Sequence, residues 1–283
     1  MAYWENADYS WTSDSLRYIN TPSQKSRELF YYVQEIGRFK ANKPYFTERA
    51  NLPSYLMKFT RSGSGSLIYQ QREYTLRAGD VFFIDCRNYQ YYQTESEEPW
   101  VMDWVHFDGG NTAAFYEEFL KSGTNVFHTE ASPEENPVHL IMNQLLKLQE
   151  KQTAKTDFTT STLLHELLNE LLLQKFQLNF EDTEIPAYIS DLKDDLEKNF
   201  KQALTLDELA RKYHRNKYQL NKEFSRFVGS PPIDFQISKK ISYAKDLLRY
   251  SDLTIQQVAG TVGMDNAAYF SRLFKLRTGL TPS

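Results

Sequence analysis

The sequence predicts an α+β chain: an N-terminal antiparallel β-barrel with two helices, then an all-α domain with two helix-turn-helix motifs joined by a linker helix. Three observations predict it. Short aromatic and β-branched runs separated by turn signals fill residues 45–108. Beyond Val138 the apolar spacing becomes helical. One segment then occurs twice, with the same cap, small residue, aromatic anchor and Gly–Pro ending in each copy.

The strands come first. Tyr55-Leu56-Met57-Lys58-Phe59, Ser66-Leu67-Ile68-Tyr69 and Val81-Phe82-Phe83-Ile84 are separated by Gly63-Ser64-Gly65 and Ala78-Gly79-Asp80. Further strands are expected at residues 89–93 and 100–107, and several such strands without intervening helices predict an antiparallel sandwich or barrel. Val138, Ile141, Leu145 and Leu148 then mark one amphipathic helix, and Leu163, Leu164, Leu167, Leu168, Leu171 and Leu172 a second. These stripes either cover an open face of the sheet or pair two copies of the chain, and both hold if the second helix has two apolar sides. The acidic stretch 179–187, ending beside Pro186, is expected to link a domain at 1–178 to one at 188–283.

In copy one, Thr205 is a candidate N-cap with Asp207 and Glu208 in the first helical turn. Leu206, Leu209 and Ala210 supply a buried side, Leu220, Phe224 and Phe227 hold the second helix against it, and Gly229 precedes Pro231. Its exposed faces are expected to carry Arg215, Asn216, Lys217, Tyr218, Asn221, Lys222 and Arg226. Copy two repeats the layout from Leu253 to Pro282 and offers Asn266, Tyr269, Arg272 and Lys275. Arg suits guanine, Asn suits adenine and Lys suits phosphate, so both faces have the chemistry of a DNA reader. Residues 233–249 join the copies without an internal Gly or Pro. A helix of that length spans about 26 Å, which approaches the roughly 34 Å between successive major grooves. Copy two is less basic and is expected to add less affinity.

Charge agrees with that division. Residues 188–283 hold 16 Lys+Arg against 11 Asp+Glu, whereas the rest holds 17 against 26. A basic tail behind an acidic front suggests nucleic-acid contact at the C-terminal end. Cys86 is the single cysteine, so an intramolecular disulfide framework is excluded. Residues 1–6 lack the layout of a signal peptide, and the apolar stretch 163–176 is broken by His165, Glu166, Asn169, Glu170 and Gln174. A soluble cytoplasmic protein is expected.

Residues 188–283 resemble the DNA-binding domain of the AraC/XylS family of transcription regulators. Gly263, Tyr269-Phe270-Ser271-Arg272, Phe274-Lys275, Thr278-Gly279 and Thr281-Pro282-Ser283 carry the resemblance. Met264 stands where the family usually has Phe, and Lys240 where the linker helix usually has Arg, which weakens a bidentate phosphate contact. The sequence stops at Ser283, before the family's usual closing helical turn, so either the last helix frays or the sequence is truncated there.

The N-terminal part reads as a binding domain or an enzyme. A metal enzyme on this scaffold needs clustered His and Glu, yet of the five histidines His106 alone lies in the expected sheet. No catalytic residue, metal or cofactor is therefore expected. Tyr55, Tyr89, Tyr91, Tyr92, Trp100, Trp104 and Phe107 suit either a sugar pocket or an aromatic core. Gly63-x-Gly65, Gly79-Asp80-Val81-Phe82-Phe83-Ile84 and Trp104-Val105-His106-Phe107 resemble the cupin-like ligand-binding domain of sugar-responsive AraC-type regulators. The resemblance implies that Arg49, Tyr92 and Trp100 grip a sugar, with Gln90 in place of a pocket histidine. It also implies that the aromatic, acidic start at residues 1–15 is an arm folding over the effector. The expected partners are a double-stranded DNA operator, a small-molecule effector of the sugar class, a second copy of the chain and RNA polymerase. The expected role is activation of carbohydrate-utilisation genes. The rival reading is a cupin-type binding protein or enzyme whose helical tail does not touch DNA.

Overall fold

The computed structural model describes residues 2–178 and 184–282, which form two compact units, Met1–Gln177 and Leu178–Ser283. Of the stretch expected to act as a linker, residues 179–183 lie outside the described residues.

The first unit begins with strands β1 (Trp4–Asp8) and β2 (Leu16–Ile19) and helix α1 (Gln24–Leu29). Strands β3 (Tyr31–Ala41), β4 (Phe46–Ala50), β5 (Tyr55–Ser62), β6 (Ser64–Tyr69), β7 (Arg72–Arg77), β8 (Asp80–Asp85), β9 (Gln90–Thr94) and β10 (Trp100–Gly109) follow. Helix α2 (Thr112–Leu120), strand β11 (Val126–His128) and helices α3 (Pro137–Glu150) and α4 (Thr156–Lys175) complete it. All pairings are antiparallel, within a five-stranded sheet β1-β4-β9-β6-β7 and a six-stranded sheet β11-β8-β5-β10-β3-β2.

The expected barrel is thus two sheets and not one closed ring. The reason is visible at the corners. Gly63 at φ 69° and Gly79 at φ 89° turn the chain from β5 into β6 and from β7 into β8, and each turn moves it to the other sheet.

Alternation then builds two cores. Along β5 and β10, Leu56, Trp100, Met102 and Trp104 face the space between the sheets, where they meet Leu67, Tyr69 and Leu76 of the other sheet. Met57, Phe59, Val105 and Phe107 face the opposite way, onto α2, α3 and α4. The leucine stripe of α4 is spent here: Leu163, Leu164, Leu167, Leu168 and Leu171 are all buried in that second core. The outward side of α4 carries Thr162, His165, Glu166 and Asn169, with Phe158 exposed one turn ahead of Thr162. A buried polar clamp fixes the layer, with Asp103 of β10 accepting from Arg38 of β3 at 2.7 Å and meeting His139 Nδ1 of α3 at 2.5 Å.

The second unit is helical: α5 (Ala187–Lys198), α6 (Leu206–Lys212), α7 (Lys217–Val228), α8 (Pro232–Tyr250), α9 (Ile255–Thr261) and α10 (Ala267–Thr278). Both copies start alike, with Thr205 and Glu208, then Thr254 and Gln257, forming reciprocal capping boxes. Both end alike, on Gly229 and Gly279 in the left-handed region. The Gly279 N–H bonds to Lys275 O at the end of α10. Each copy has its own core, and α8 serves both, giving Ile233 and Phe235 to the first and Ile241 and Ala244 to the second. In the first core Leu192 and Leu196 of α5 stand where α8 stands in the second. The duplicated unit is therefore three helices, and Leu192 and Ile241 lie equally far ahead of Thr205 and Thr254.

Candidate effector cavity and nucleic-acid interface

Between the sheets of the first unit lies a cavity of about 40 Å³, lined by Glu5, Tyr9, Trp11, Arg17, Glu35, Phe39, Tyr45, Thr47, Arg49, Lys58, Tyr92, Trp104 and His106. That volume holds a few waters and no saccharide. Gly37 leaves room for the Trp104 ring, because a Cβ there would stand 2.5 Å from Cζ2.

Arg49 is the hub. It sits on the inward side of β4 and is 7 % exposed. Its Nη2 donates to Tyr92 Oη at 2.5 Å and lies 2.7 Å from His106 Nε2, while Nη1 reaches Glu5 Oε2 at 3.1 Å. Glu5 arrives on the arm, because β1 adds to the sheet edge with Glu5 opposite Arg49. Tyr3 and Tyr9 donate to the same carboxylate at 2.8 and 3.3 Å, and burial together with Glu5 pushes the Tyr3 phenol up to about 12. Trp11, further along the arm, stacks on Phe39 with ring centroids 4.3 Å apart.

Since a guanidinium can only donate, His106 Nε2 must accept, which leaves the proton on Nδ1, 3.1 Å from Ser54 Oγ. Burial, with Arg49 and Lys58 adding to it, holds the His106 pKa well below its ordinary value. Lys58 is 2 % exposed. Its Nζ donates to Tyr45 Oη at 3.3 Å and Met102 Sδ at 3.4 Å and lies 3.5 Å from the Tyr92 ring centroid. Burial first, then Arg49, holds its pKa well below the usual lysine value. Two buried donors on the cavity wall, Arg49 Nε and Trp104 Nε1, have no partner among the described residues. A ligand with several acceptor oxygens would satisfy both.

Of the four residues expected to bind effector, Arg49 and Tyr92 line the cavity and Gln90 and Trp100 do not. Gln90 is fully buried with its amide engaged by Cys86, and the Trp100 indole donates to Thr60 Oγ1 at 3.2 Å. Their polar atoms are satisfied within the core. The cavity's histidine is His106, on the same face of β10 as Trp104. Sequence reasoning missed Glu5, Lys58 and His106 as wall residues. A lone lysine inside the apolar run 55–59 was the available signal for Lys58. Cys86 lies 3.9 Å from His106, and burial pushes its thiol up to about 11. Among the described residues no three His, Cys, Asp or Glu side chains gather in a metal-binding group.

The second unit presents the other surface. On α7, Leu220 and Phe224 point inward, so Tyr218, Lys222 and Arg226 point outward, with Asn221 half-buried beside them. Tyr218 is 74 % exposed, with Lys217 Nζ 5.6 Å from its ring centroid. Arg215 precedes α7 and lies over the Tyr188 ring at 4.5 Å from its centroid, and Lys217 pairs with Asp207 at 3.1 Å. Asn216 and Asn266 act as N-caps: their amide oxygens accept from the first turns of α7 and α10. On α10, Tyr269, Arg272 and Lys275 are exposed. The sequence reading overlooked Leu276, 79 % exposed on the same helix. Lys240 is buried and donates to Gly263 O at 3.0 Å, so it ties α8 to the turn of copy two and does not reach for phosphate.

Comparison with known proteins agrees with the two domains. Residues 33–168 match the model of the AraC-like ligand binding domain, and residues 209–283 match a helix-turn-helix domain model. The Msm operon regulatory protein of Streptococcus mutans is 23 % identical over 256 residues, covering 89 % of this chain and 90 % of that protein. The MmsAB operon regulatory protein of Pseudomonas aeruginosa is 25 % identical, covering 91 % and 82 %. The arabinose operon regulatory protein of Escherichia coli is 26 % identical, covering 84 % and 82 %. No helix among the described residues is long and apolar enough to cross a membrane. With a ligand-binding domain ahead of two helix-turn-helix copies, the chain belongs to the AraC family of DNA-binding transcription regulators.

Proposed function

We propose that this regulator responds to a sugar and activates carbohydrate-utilisation genes in the cytoplasm. In this reading residues 1–178 bind effector and pair two copies, residues 179–187 link, and residues 188–283 read the operator and engage RNA polymerase. Arg215, Lys217, Lys222, Arg226, Arg272 and Lys275 approach phosphates or guanines, and Asn216, Asn221, Asn266, Tyr218 and Tyr269 line the same faces.

The observation that carries the reading is the cavity. Aromatic faces at Trp11, Phe39, Tyr45, Tyr92 and Trp104 surround two unpartnered donors, and stacking faces with directed hydrogen bonds are what a saccharide requires. Relatives named for arabinose, raffinose and lactose operons support the same class. In the present state Glu5 occupies Arg49. An effector that takes over Arg49 changes the seating of the arm, and the arm's position sets how the DNA-binding unit is presented. Pairing of two copies uses surface other than the buried α4 leucines.

Calorimetric titration of the full chain against mono- and disaccharides, together with a duplex shift assay, tests this. Saturable binding of a saccharide that alters a sequence-selective shift is the expected result. Selective duplex binding with no response to any saccharide would remove the sugar assignment and leave the regulator.

A further inference from the structure

Resting on the sugar reading above, we propose that the effector is an acidic saccharide, whose carboxylate or phosphate seats between Arg49 and Lys58 in place of Glu5. The charges around the cavity make the case. Its wall carries Arg17, Arg49 and Lys58 against Glu5 and Glu35. Glu35 is taken by Arg17 at 2.8 Å, toward the solvent-exposed rim. Glu5 is taken by Arg49 at 3.1 Å. Lys58, deepest of the three cations, has no carboxylate partner among the described residues; its neighbours are Tyr45 Oη, Met102 Sδ and the rings of Tyr92, Tyr45 and Trp100. Aromatic faces offset part of the cost of burying an ammonium and do not replace a counter-ion.

Two further facts make the exchange specific. Glu5 comes in on β1, the edge strand that the N-terminal arm adds to the five-stranded sheet. The cavity walls without the arm therefore hold two buried cations and no buried acid. Second, with the arm seated the space amounts to about 40 Å³, so a saccharide enters only by displacing Glu5 and its neighbours. A neutral sugar that displaced Glu5 would strand Arg49 as well as Lys58. An acidic one restores the lost charge and supplies the one Lys58 lacks, and its hydroxyls accept from Arg49 Nε and Trp104 Nε1.

The test titrates the full chain by calorimetry with galacturonate, galactose 6-phosphate and galactose, and with the corresponding glucose series. The expected result is that an acid form binds at least tenfold tighter than its neutral parent. Preference for the uronate identifies a carboxylate source and preference for the sugar phosphate a phosphate source. Lys58→Met should abolish the acid preference, Lys58→Arg should keep the preference, and Glu5→Gln should tighten acid binding. Neutral parents binding as well as the acids would overturn the inference while leaving the sugar reading. Failure of every saccharide to bind would overturn both. If Lys58→Met fails to fold, the Glu5→Gln result and the acid-to-neutral affinity ratio of the parent chain still decide.

Discussion

At the scale of single residues, the tautomer of His106 is set by its neighbours. Arg49 lies 2.7 Å from Nε2, Ser54 Oγ lies 3.1 Å from Nδ1, and Ser54 itself donates to Tyr55 O, so the ring is held neutral between a donor and a hydroxyl. A pH dependence follows. Folding lowers the His106 pKa below its ordinary 6.5, with burial the largest cause and the positive charges of Arg49, Lys58 and Arg17 after it. The unfolded chain therefore binds the extra proton as pH falls through 6.5, and stability falls with it, whereas above 6.5 no penalty exists. Lys58 acts with the same sign in a higher window, below its ordinary 10.5. Thermal unfolding of the full chain should show Tm declining below pH 6.5, and His106→Gln should flatten that limb. An unchanged limb in the variant would assign the decline to other groups.

At the scale of elements, the tightest constraint lies in the turn of copy two. Gly263 has φ 72°, and a Cβ there would stand 1.6 Å from the carbonyl oxygen of Lys201, in the loop after α5. The two copies meet through backbone at this point, and Lys240, donating to Gly263 O, and Gln236, donating to Gln202 O, fasten α8 beside it. Gly263→Ala should cost about 2–4 kcal/mol, because it combines a left-handed backbone with a clash against main chain that cannot turn aside. Urea unfolding followed through loss of duplex binding measures it. The leucines of α4 make the opposite kind of prediction. With Leu167 fully buried, Leu167→Ala should cost about 2–5 kcal/mol of stability through the cavity it leaves. Sedimentation velocity on the folded fraction should find its oligomeric state unchanged, since this face is packed within its own subunit. Dissociation into a folded monomer would return the leucines to an interface.

At the scale of the whole molecule, two independently cored units divide the work of sensing and reading. Copy one exposes Arg215, Lys222 and Arg226 and copy two exposes Arg272 and Lys275. Arg215→Ala and Arg272→Ala should each weaken operator binding by about 1–3 kcal/mol if the guanidinium is bidentate to guanine. In a duplex shift series at several salt concentrations, a loss uniform over all sequences would make them phosphate contacts. Deleting residues 1–15 should leave operator affinity intact and abolish the response to effector, because Glu5, Tyr9 and Trp11 line the cavity from the arm. A retained response would detach the arm from signalling.

The helical half was legible because its determinants are local. Thr205 and Thr254 as caps, Gly229 and Gly279 as left-handed ends, and the apolar spacing of 233–249 each act within a few residues of themselves, and all stand in the structure as read. Strands β5, β6 and β8 to β10 were legible for the same reason, whereas β3 and β7 were not, because their residues carry no comparable alternation between turn signals. The cavity was legible in Arg49, Tyr92 and Trp104. Glu5, Lys58 and His106 come from β1, β5 and β10, far apart in the chain, and sequence does not say which face of a doubly covered strand looks into a pocket. By itself, then, the sequence determined the family, the two reading units and the sheet-rich front. Tertiary structure alone decided that the sheets form two layers and not a ring, that the α4 leucines are core, and that an arm carboxylate meets Arg49 while Lys58 stays without one. Those outcomes depend on register and burial across long separations, which set where a charge loses its water.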